Sequence, residues 1–101
     1  MDPVKRISEM EKILRDHNEL IENLRDSLER FGAHQDEYRK LRDYYNSETY
    51  FDDLESYDKG ELPENLLCGV LSEDAVYNLF CENFNISIDL LEVATEILKN
   101  H

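Results

Sequence analysis

The sequence predicts an all-α protein, a small helical bundle of two long amphipathic helices joined by short central helices. Apolar residues recur every three or four positions in the first and last thirds of the chain. Serine, glycine and proline residues that begin or end helices concentrate in the middle third. No strand-like alternation extends beyond a few residues. A chain of 101 residues is expected to form one domain, spanning residues 1–101.

The first long helix is predicted from about residue 2 to residue 31. Asp2 is a good N-cap, and Pro3 suits the first helical position. Gly32 either ends this helix or only kinks it, because the heptad phase continues beyond it. The stripe is long enough to make a homodimer plausible, although a three-helix monomer could bury it too. Its residues are Ile7, Met10, Leu14, His17, Ile21, Leu24, Leu28 and Phe31.

Short central helices are predicted between about residues 34 and 68. A helical segment is expected as far as Tyr45, and Ser47 is a suitable N-cap for the next helix. Gly60 is expected to end that helix in the left-handed conformation that glycine adopts easily. Pro63 is predicted to start a further helical turn, which Gly69 stops.

The last long helix is predicted from about residue 72 to residue 99. Ser72 can cap it, and two acidic residues follow where the helix dipole favours negative charge. Asn83, Asn85 and Ser87 are poor helix formers, so a kink or a short break near them is possible.

Negative charge is concentrated in the middle of the chain. The net charge is −13, and residues 43–74 contain ten acidic residues with Lys59 as the one base. Residues 1–42 contain ten acidic and nine basic residues. This distribution disfavours direct binding to nucleic acid or to anionic membranes, and it favours partners with a basic surface. No apolar run is long enough to span a membrane.

The candidate interaction residues lie in the same acidic stretch, which is also rich in tyrosine. The aromatic residues suit either a core layer whose hydroxyls bind carboxylates or a binding face, where tyrosine is enriched. The carboxylates would attract and orient a basic partner. The candidates are Asp43, Tyr44, Tyr50, Phe51, Asp52, Asp53, Glu55, Tyr57 and Asp58.

No catalytic residue, metal ligand or cofactor site is predicted. If Gly60 were the central glycine of a calcium loop, Tyr57 and Lys59 would occupy ligand positions. No nucleophile motif or phosphate-binding glycine loop is present. Cys68 and Cys81 have no metal-site spacing, and the N-terminus has no apolar signal segment. These features favour reduced thiols in a cytoplasmic protein.

The central stretch resembles a small bacterial family of short, acidic, helical proteins of unknown function. Trp is usual in similar proteins where this chain has Tyr50, and a basic residue is frequent at Leu67. The resemblance implies a bacterial or phage cytoplasmic origin and no particular activity. It rests on Asp43-Tyr44-Tyr45, Ser47, Tyr50, Asp53, Glu55, Gly60, Leu62-Pro63, Leu66, the run Gly69-Val70-Leu71-Ser72-Glu73-Asp74, Tyr77 and Leu79.

These observations favour a non-enzymatic module that presents an acidic, tyrosine-rich face to a basic protein. The alternative is a nucleic-acid mimic, possible in a phage or anti-defence setting, whose carboxylates occupy the cleft of a DNA- or RNA-binding protein. A small divalent-metal protein or an enzyme is the less favoured third class, since it needs acidic residues that converge in a pocket.

Overall fold

A computed structural model describes residues 2–101 of the chain, and these residues are all-α, as the sequence predicts. Helix α1 spans Pro3–Tyr45, α2 spans Glu48–Asp58 and α3 spans Glu73–Lys99. A 3₁₀ turn at Gly69–Leu71 precedes α3. The part of the chain that the structure describes contains no strand, and none of its helices is both long and apolar enough to cross a membrane.

The chain divides into two units, one ending at Arg42 and the other running from Asp43 to His101. The first unit is the greater part of α1. The second unit contains the last turn of α1, then α2, the 3₁₀ turn and α3. The predicted single-domain organisation stays a prediction.

Helix α1 begins as the sequence predicts. The Asp2 carboxylate accepts a hydrogen bond from the Val4 backbone N–H at 3.0 Å, and the Asp2 carbonyl accepts one from Arg6 at 3.2 Å. Asp2 therefore caps α1, and Pro3 occupies the first helical position, where a missing N–H removes no helical bond.

Of the two alternatives that the sequence leaves open at Gly32, a helix end near Phe31 is wrong, because α1 continues through Gly32 to Tyr45. A glycine inside a helix costs only about 1 kcal/mol relative to alanine. Ion pairs one turn apart lie on both sides of it. Arg30 pairs with Asp26 at 3.3 Å, Lys40 pairs with Glu37 at 3.1 Å, and Arg39 pairs with Asp36. Each exposed pair adds only a few tenths of a kcal/mol, but together with good helix formers they maintain the helix.

Helix α2 has the predicted cap at each end. The Ser47 hydroxyl accepts a hydrogen bond from the Tyr50 N–H at 3.3 Å and donates one to the Tyr44 carbonyl at 2.6 Å. At the other end, Gly60 has a φ of 71°. The N–H groups of Gly60 and Glu61 donate to the carbonyls of Tyr57 and Ser56, both at 3.0 Å. This is the Schellman arrangement, which satisfies the carbonyls left unpaired at a helix end.

The helical turn predicted from Pro63 to Gly69 is wrong. Residues 61–68 have no regular helix, and one turn closes where the Leu66 N–H donates to the Pro63 carbonyl at 3.2 Å. Gly69 begins the 3₁₀ turn instead of ending a helix. A single isolated turn has little stability unless an apolar face is buried. Leu67 is 94% exposed and provides no such burial.

Helix α3 is capped by Ser72, as predicted, and it is continuous. The Ser72 hydroxyl accepts a hydrogen bond from the Ala75 N–H at 3.4 Å. The possible break near Asn83 to Ser87 does not occur. The Ser87 hydroxyl donates to the Phe84 carbonyl at 2.6 Å within the helix. Such a bond lets serine satisfy its hydroxyl without ending the helix.

The buried side chains among residues 2–101 are Tyr50 and Val76, both in the second unit. Tyr50 belongs to α2, and Val76 lies in the first turn of α3. No residue of α1 is buried. The core of the second unit is therefore small, and its position is set by α2 and by the N-terminal end of α3.

Two glycine substitutions should have opposite effects on stability. Gly60→Ala should lower the free energy of unfolding by about 1–2 kcal/mol, because a side chain disfavours the left-handed conformation. Gly32→Ala should raise it by about 0.5–1 kcal/mol, because this residue lies inside α1 and an added Cβ meets no atom within 4 Å.

Urea unfolding followed by circular dichroism measures both effects. An equal loss of stability in the two variants would contradict the assignment of Gly60 as a helix stop and of Gly32 as a helix interior residue.

Candidate functional site

Five aromatic rings form one cluster in the second unit, with Tyr50 at its centre. The Tyr50 ring centroid lies 5.7 Å from that of Tyr44, 5.0 Å from that of Tyr45 and 5.7 Å from that of Phe51. Tyr45 in turn contacts Phe80 of α3 edge to face, with the centroids 5.4 Å apart. These distances and angles are those at which aromatic pairs attract each other. We call these five residues the aromatic cluster.

Tyr50 is a core residue, and its predicted role as an exposed interface anchor is wrong. It is 5% exposed, so its ring offers a partner only the small area that lines the groove beside Phe51. Its hydroxyl lies 3.5 Å from the Leu71 carbonyl, which is long for a hydrogen bond. Burial raises the pKa of the Tyr50 phenol, and the nearby Tyr45 and Glu73 raise it further.

Tyr44 and Asp53 form a short polar contact between α1 and α2 within this unit. The Tyr44 hydroxyl donates a hydrogen bond to the Asp53 carboxylate at 2.6 Å. This bond, together with burial and the carboxylate charge, raises the pKa of Tyr44 to about 12. Asp53 is thus a structural acceptor for a tyrosine hydroxyl, one of the two interpretations that the sequence allows.

The outward side of α2 combines an exposed aromatic ring with carboxylates. Phe51 is 65% exposed, although one of its edges contacts Tyr50. The spacing of three or four residues places its acidic neighbours on the same side of the helix. We call the following set the acidic face: Glu48, Phe51, Asp52, Glu55 and Asp58.

Most carboxylates of the acidic face are without an ion pair. Glu55 pairs with Lys59 at 2.7 Å, and both side chains are more than half exposed. Within residues 2–101, the exposed carboxylates of Glu48, Asp52 and Asp58 have no cationic partner within ion-pair distance. The face therefore retains negative charge around an exposed apolar ring.

An open groove of about 500 Å³ begins beside Phe51. It is lined by Phe51, Tyr50 and Tyr45 together with Asn46, Leu54, Leu71 and Glu73. The groove thus combines the apolar surface of aromatic rings and leucine side chains with the carboxylate of Glu73. A side chain with an apolar stem and a cationic end would match this composition.

The remaining candidates lie outside the acidic face. Tyr57 is 51% exposed and lines a separate open groove of about 590 Å³ with Leu62 and Pro63. Asp43 lies exposed in the last turn of α1. The sequence did not identify Tyr45 and Phe80 as site residues. Both lie in segments that the sequence predicts to be helical, but no sequence signal pairs residues so far apart in the chain.

The described residues contain no group of three or more His, Cys, Asp or Glu side chains that could hold a metal ion. Cys68 and Cys81 are free thiols, both half-buried. The Cys68 thiol donates weakly to the Leu66 carbonyl at 3.5 Å.

The fold and the site define an all-α protein with a small aromatic core beneath an acidic surface. The chain belongs to the family DUF4298, described as a domain of unknown function, whose match spans residues 7–93. The expected membership of a helical family of unknown function is thereby confirmed. No curated protein matches the chain, and no solved structure does.

The contact between Tyr44 and Asp53 should make stability sensitive to alkaline pH. The pKa of the Tyr44 phenol rises from about 10 to about 12 on folding, and this rise contributes to the free energy of unfolding. The contribution is complete below pH 10. That contribution should fall progressively as the pH increases from 10 to 12. Asp53→Asn should lower the pKa of Tyr44 toward 10, because it removes the charged hydrogen-bond acceptor and its repulsion of the phenolate.

Ultraviolet titration of tyrosinate, with Tyr44→Phe to assign the high-pH group, measures this pKa. Asp52→Asn is the matched control, since Asp52 is exposed and has no tyrosine partner. An unchanged Tyr44 titration in Asp53→Asn would refute the assigned contact.

Two substitutions of Tyr50 should separate the contribution of ring packing to the free energy of unfolding from that of the hydroxyl hydrogen bond. Tyr50→Ala should cost about 3 kcal/mol or more of unfolding free energy, because it removes a buried ring from the centre of the aromatic cluster. Tyr50→Phe should cost less than about 1 kcal/mol, because it removes only a long hydroxyl contact. Thermal or urea unfolding measures both, and a similar cost for the two variants would contradict a mainly packing role.

Proposed function

We propose that the protein is a non-enzymatic interaction module whose acidic face binds a basic surface of another protein. The observation that carries this proposal is the exposed Phe51 ring surrounded by exposed carboxylates on one side of α2. An apolar anchor within a charged rim is a common arrangement at interfaces.

The charge distribution supports a basic partner. Residues 43–74 have a net charge of −9. Within the described residues, no ion pair neutralises the carboxylates of Glu48, Asp52 and Asp58 on α2. A partner rich in Lys or Arg would be attracted at long range, and its apolar side chain stems could cover Phe51 and the adjoining groove. The resemblance and the free thiols support a bacterial or phage cytoplasm as the setting.

The core contacts support a rigid presentation of the face. Phe51 extends from the helix that holds Tyr50 in the core, and the ring of Tyr50 contacts that of Phe51. A preorganised aromatic side chain loses little conformational freedom on binding, which favours affinity. Asp53 contributes indirectly through its bond with Tyr44, as a positioning residue for α2.

A nucleic-acid mimic is the second candidate, favoured by one feature of α2. Glu48, Asp52 and Glu55 follow each other at four- and three-residue intervals along one side of the helix. A row of carboxylates could occupy a cleft that normally binds phosphates. The row covers only α2, and Lys59 neutralises part of its end, so the interaction module is the better-supported proposal.

The test is photo-crosslinking in a lysate of the source cell, followed by affinity measurement with the purified captured protein. In one variant of the chain a photoreactive residue replaces Phe51. In a second variant, the position control, the same photoreactive residue replaces the exposed Leu91 of α3. Phe51→Ala should weaken binding about tenfold or more, as expected for an interface anchor. Asp52→Asn with Asp58→Asn should slow association and reduce its salt dependence.

Asp89→Asn with Glu92→Gln is the matched control, because it removes the same charge from exposed positions of α3. Its affinity should stay within about twofold of wild type. Equal effects of both charge-removing pairs would contradict a specific acidic face. Competition by duplex DNA for the same site of the partner would favour the mimic instead.

A further inference from the structure

The stripe of apolar residues in α1 is exposed along its whole length. Its apolar members are between 41% and 60% exposed from Ile7 to Phe31, and Leu20 beside them is 63% exposed. Soluble proteins rarely expose contiguous apolar surface of this length without covering it by an interaction. From this face we infer that residues 7–31 of α1 bind a second copy of this chain in antiparallel orientation.

The size of the face suits a stable dimer. The stripe and its two apolar neighbours contribute nine aliphatic or aromatic side chains, each about half exposed. At roughly 60–100 Å² per side chain, they would bury about 500–900 Å² per copy. A standard specific interface buries about 800 Å² per partner, so the face is sufficient without help from other residues. The nine are Ile7, Met10, Ile13, Leu14, Leu20, Ile21, Leu24, Leu28 and Phe31.

The heptad register allows the orientation to be decided. In an antiparallel pair centred on residue 19, Ile7 packs beside Phe31 of the second copy, and Leu14 packs beside Leu24. The flanking Leu20 then meets its own counterpart across the two-fold axis. In a parallel pair, Leu20 would lie beside Arg25, and the two copies of His17 would share one core layer. The antiparallel register therefore covers more apolar surface with apolar surface.

Flanking charges are compatible with the same orientation. The antiparallel register places Glu11 beside Arg25 of the second copy, and symmetry makes this pair occur twice. Within the described residues neither side chain has an ion pair in its own chain, although neighbouring Lys12 pairs with Asp16 at 2.6 Å. Parallel pairing would place Glu11 beside Arg6, which is also attractive, and would leave Arg25 beside Leu20, so the two orientations differ in the partner of Arg25.

Long-range electrostatics separates the two orientations. Residues 1–42 have a net charge of only −1, so two copies of this segment barely repel each other. Residues 43–74, which follow it, have a net charge of −9. A parallel pair would bring two such segments together. In an antiparallel pair, the two acidic segments would follow opposite ends of a stripe about 36 Å long. This distance is well beyond the screening length of about 8–10 Å, so their repulsion would be weak.

The first test is a single-cysteine crosslinking series in the full chain, with Cys68→Ser and Cys81→Ser as background. Asn18→Cys places its thiol beside the two-fold axis and should form a disulfide-linked dimer on mild oxidation. Leu14→Cys should not, because residues 14 of two antiparallel copies lie about 15 Å apart along the helix axis. Glu19→Cys, on the outward side of the stripe, is the control for random collision.

Crosslinking through Leu14→Cys in preference to Asn18→Cys would overturn the proposal in favour of a parallel pair. Light scattering of the wild-type chain should give twice the mass of one chain. A monomer at all concentrations would overturn the proposal, leaving α3 of the same chain or a different protein to cover the stripe.

The second test is a charge exchange that does not alter the apolar stripe. Glu11→Arg or Arg25→Glu alone should raise the dimer dissociation constant about fivefold, because each creates two pairs of like charges. The double variant should return it to near the wild-type value. Helicity by circular dichroism should be unchanged throughout, since these side chains are exposed. Failure of the double variant to restore dimerisation would overturn the antiparallel register.

Discussion

The second unit depends on the burial of one side chain, the ring of Tyr50. It contacts aromatic residues from the end of α1 and from α2, and Tyr45 extends the cluster to Phe80 of α3. Burying a ring contributes more apolar area than any aliphatic residue could, and edge-to-face contacts add specificity to it. In a unit with so few buried residues, this cluster fixes where α2 lies and therefore what its outer side presents to solvent.

The polar contacts of the second unit reinforce the same geometry. Ser47 bonds both to the helix that precedes it and to the helix that it caps, so the turn between α1 and α2 is fixed at its centre. The bond from Tyr44 to Asp53 joins the same two helices one turn further along α2. A charged acceptor makes this hydrogen bond stronger than a neutral one. The acidic composition thus contributes to the fold as well as to the surface.

Local physics in the sequence predicted the fold class and most helix ends. Asp2, Ser47, Gly60 and Ser72 act over three or four residues, so their roles could be read from spacing alone. The outcome at Gly32 was left open and the helical turn predicted from Pro63 was wrong for the opposite reason. Neither residue dictates a structure by itself, and the flanking residues decide whether a helix continues or forms. Among site residues, composition made Phe51, Asp52, Glu55 and Asp58 candidates but not Glu48, and their role in binding stays a prediction. The burial of Tyr50 and the contact of Tyr45 with Phe80 depend on tertiary packing, which no local pattern specifies.

The irregular segment at residues 61–68 affects how the chain would respond to proteases. Its Leu67 is almost fully exposed, and one backbone turn is its main internal constraint. Exposed segments of this kind are the preferred places for nicking and for inserted sequence, because their backbone adapts to a protease cleft. A cut beside Leu67 would leave each α-helix whole, with the Schellman turn on one fragment and the Ser72 cap on the other. The same position would suit an internal affinity tag, since it interrupts neither the aromatic cluster nor the acidic face.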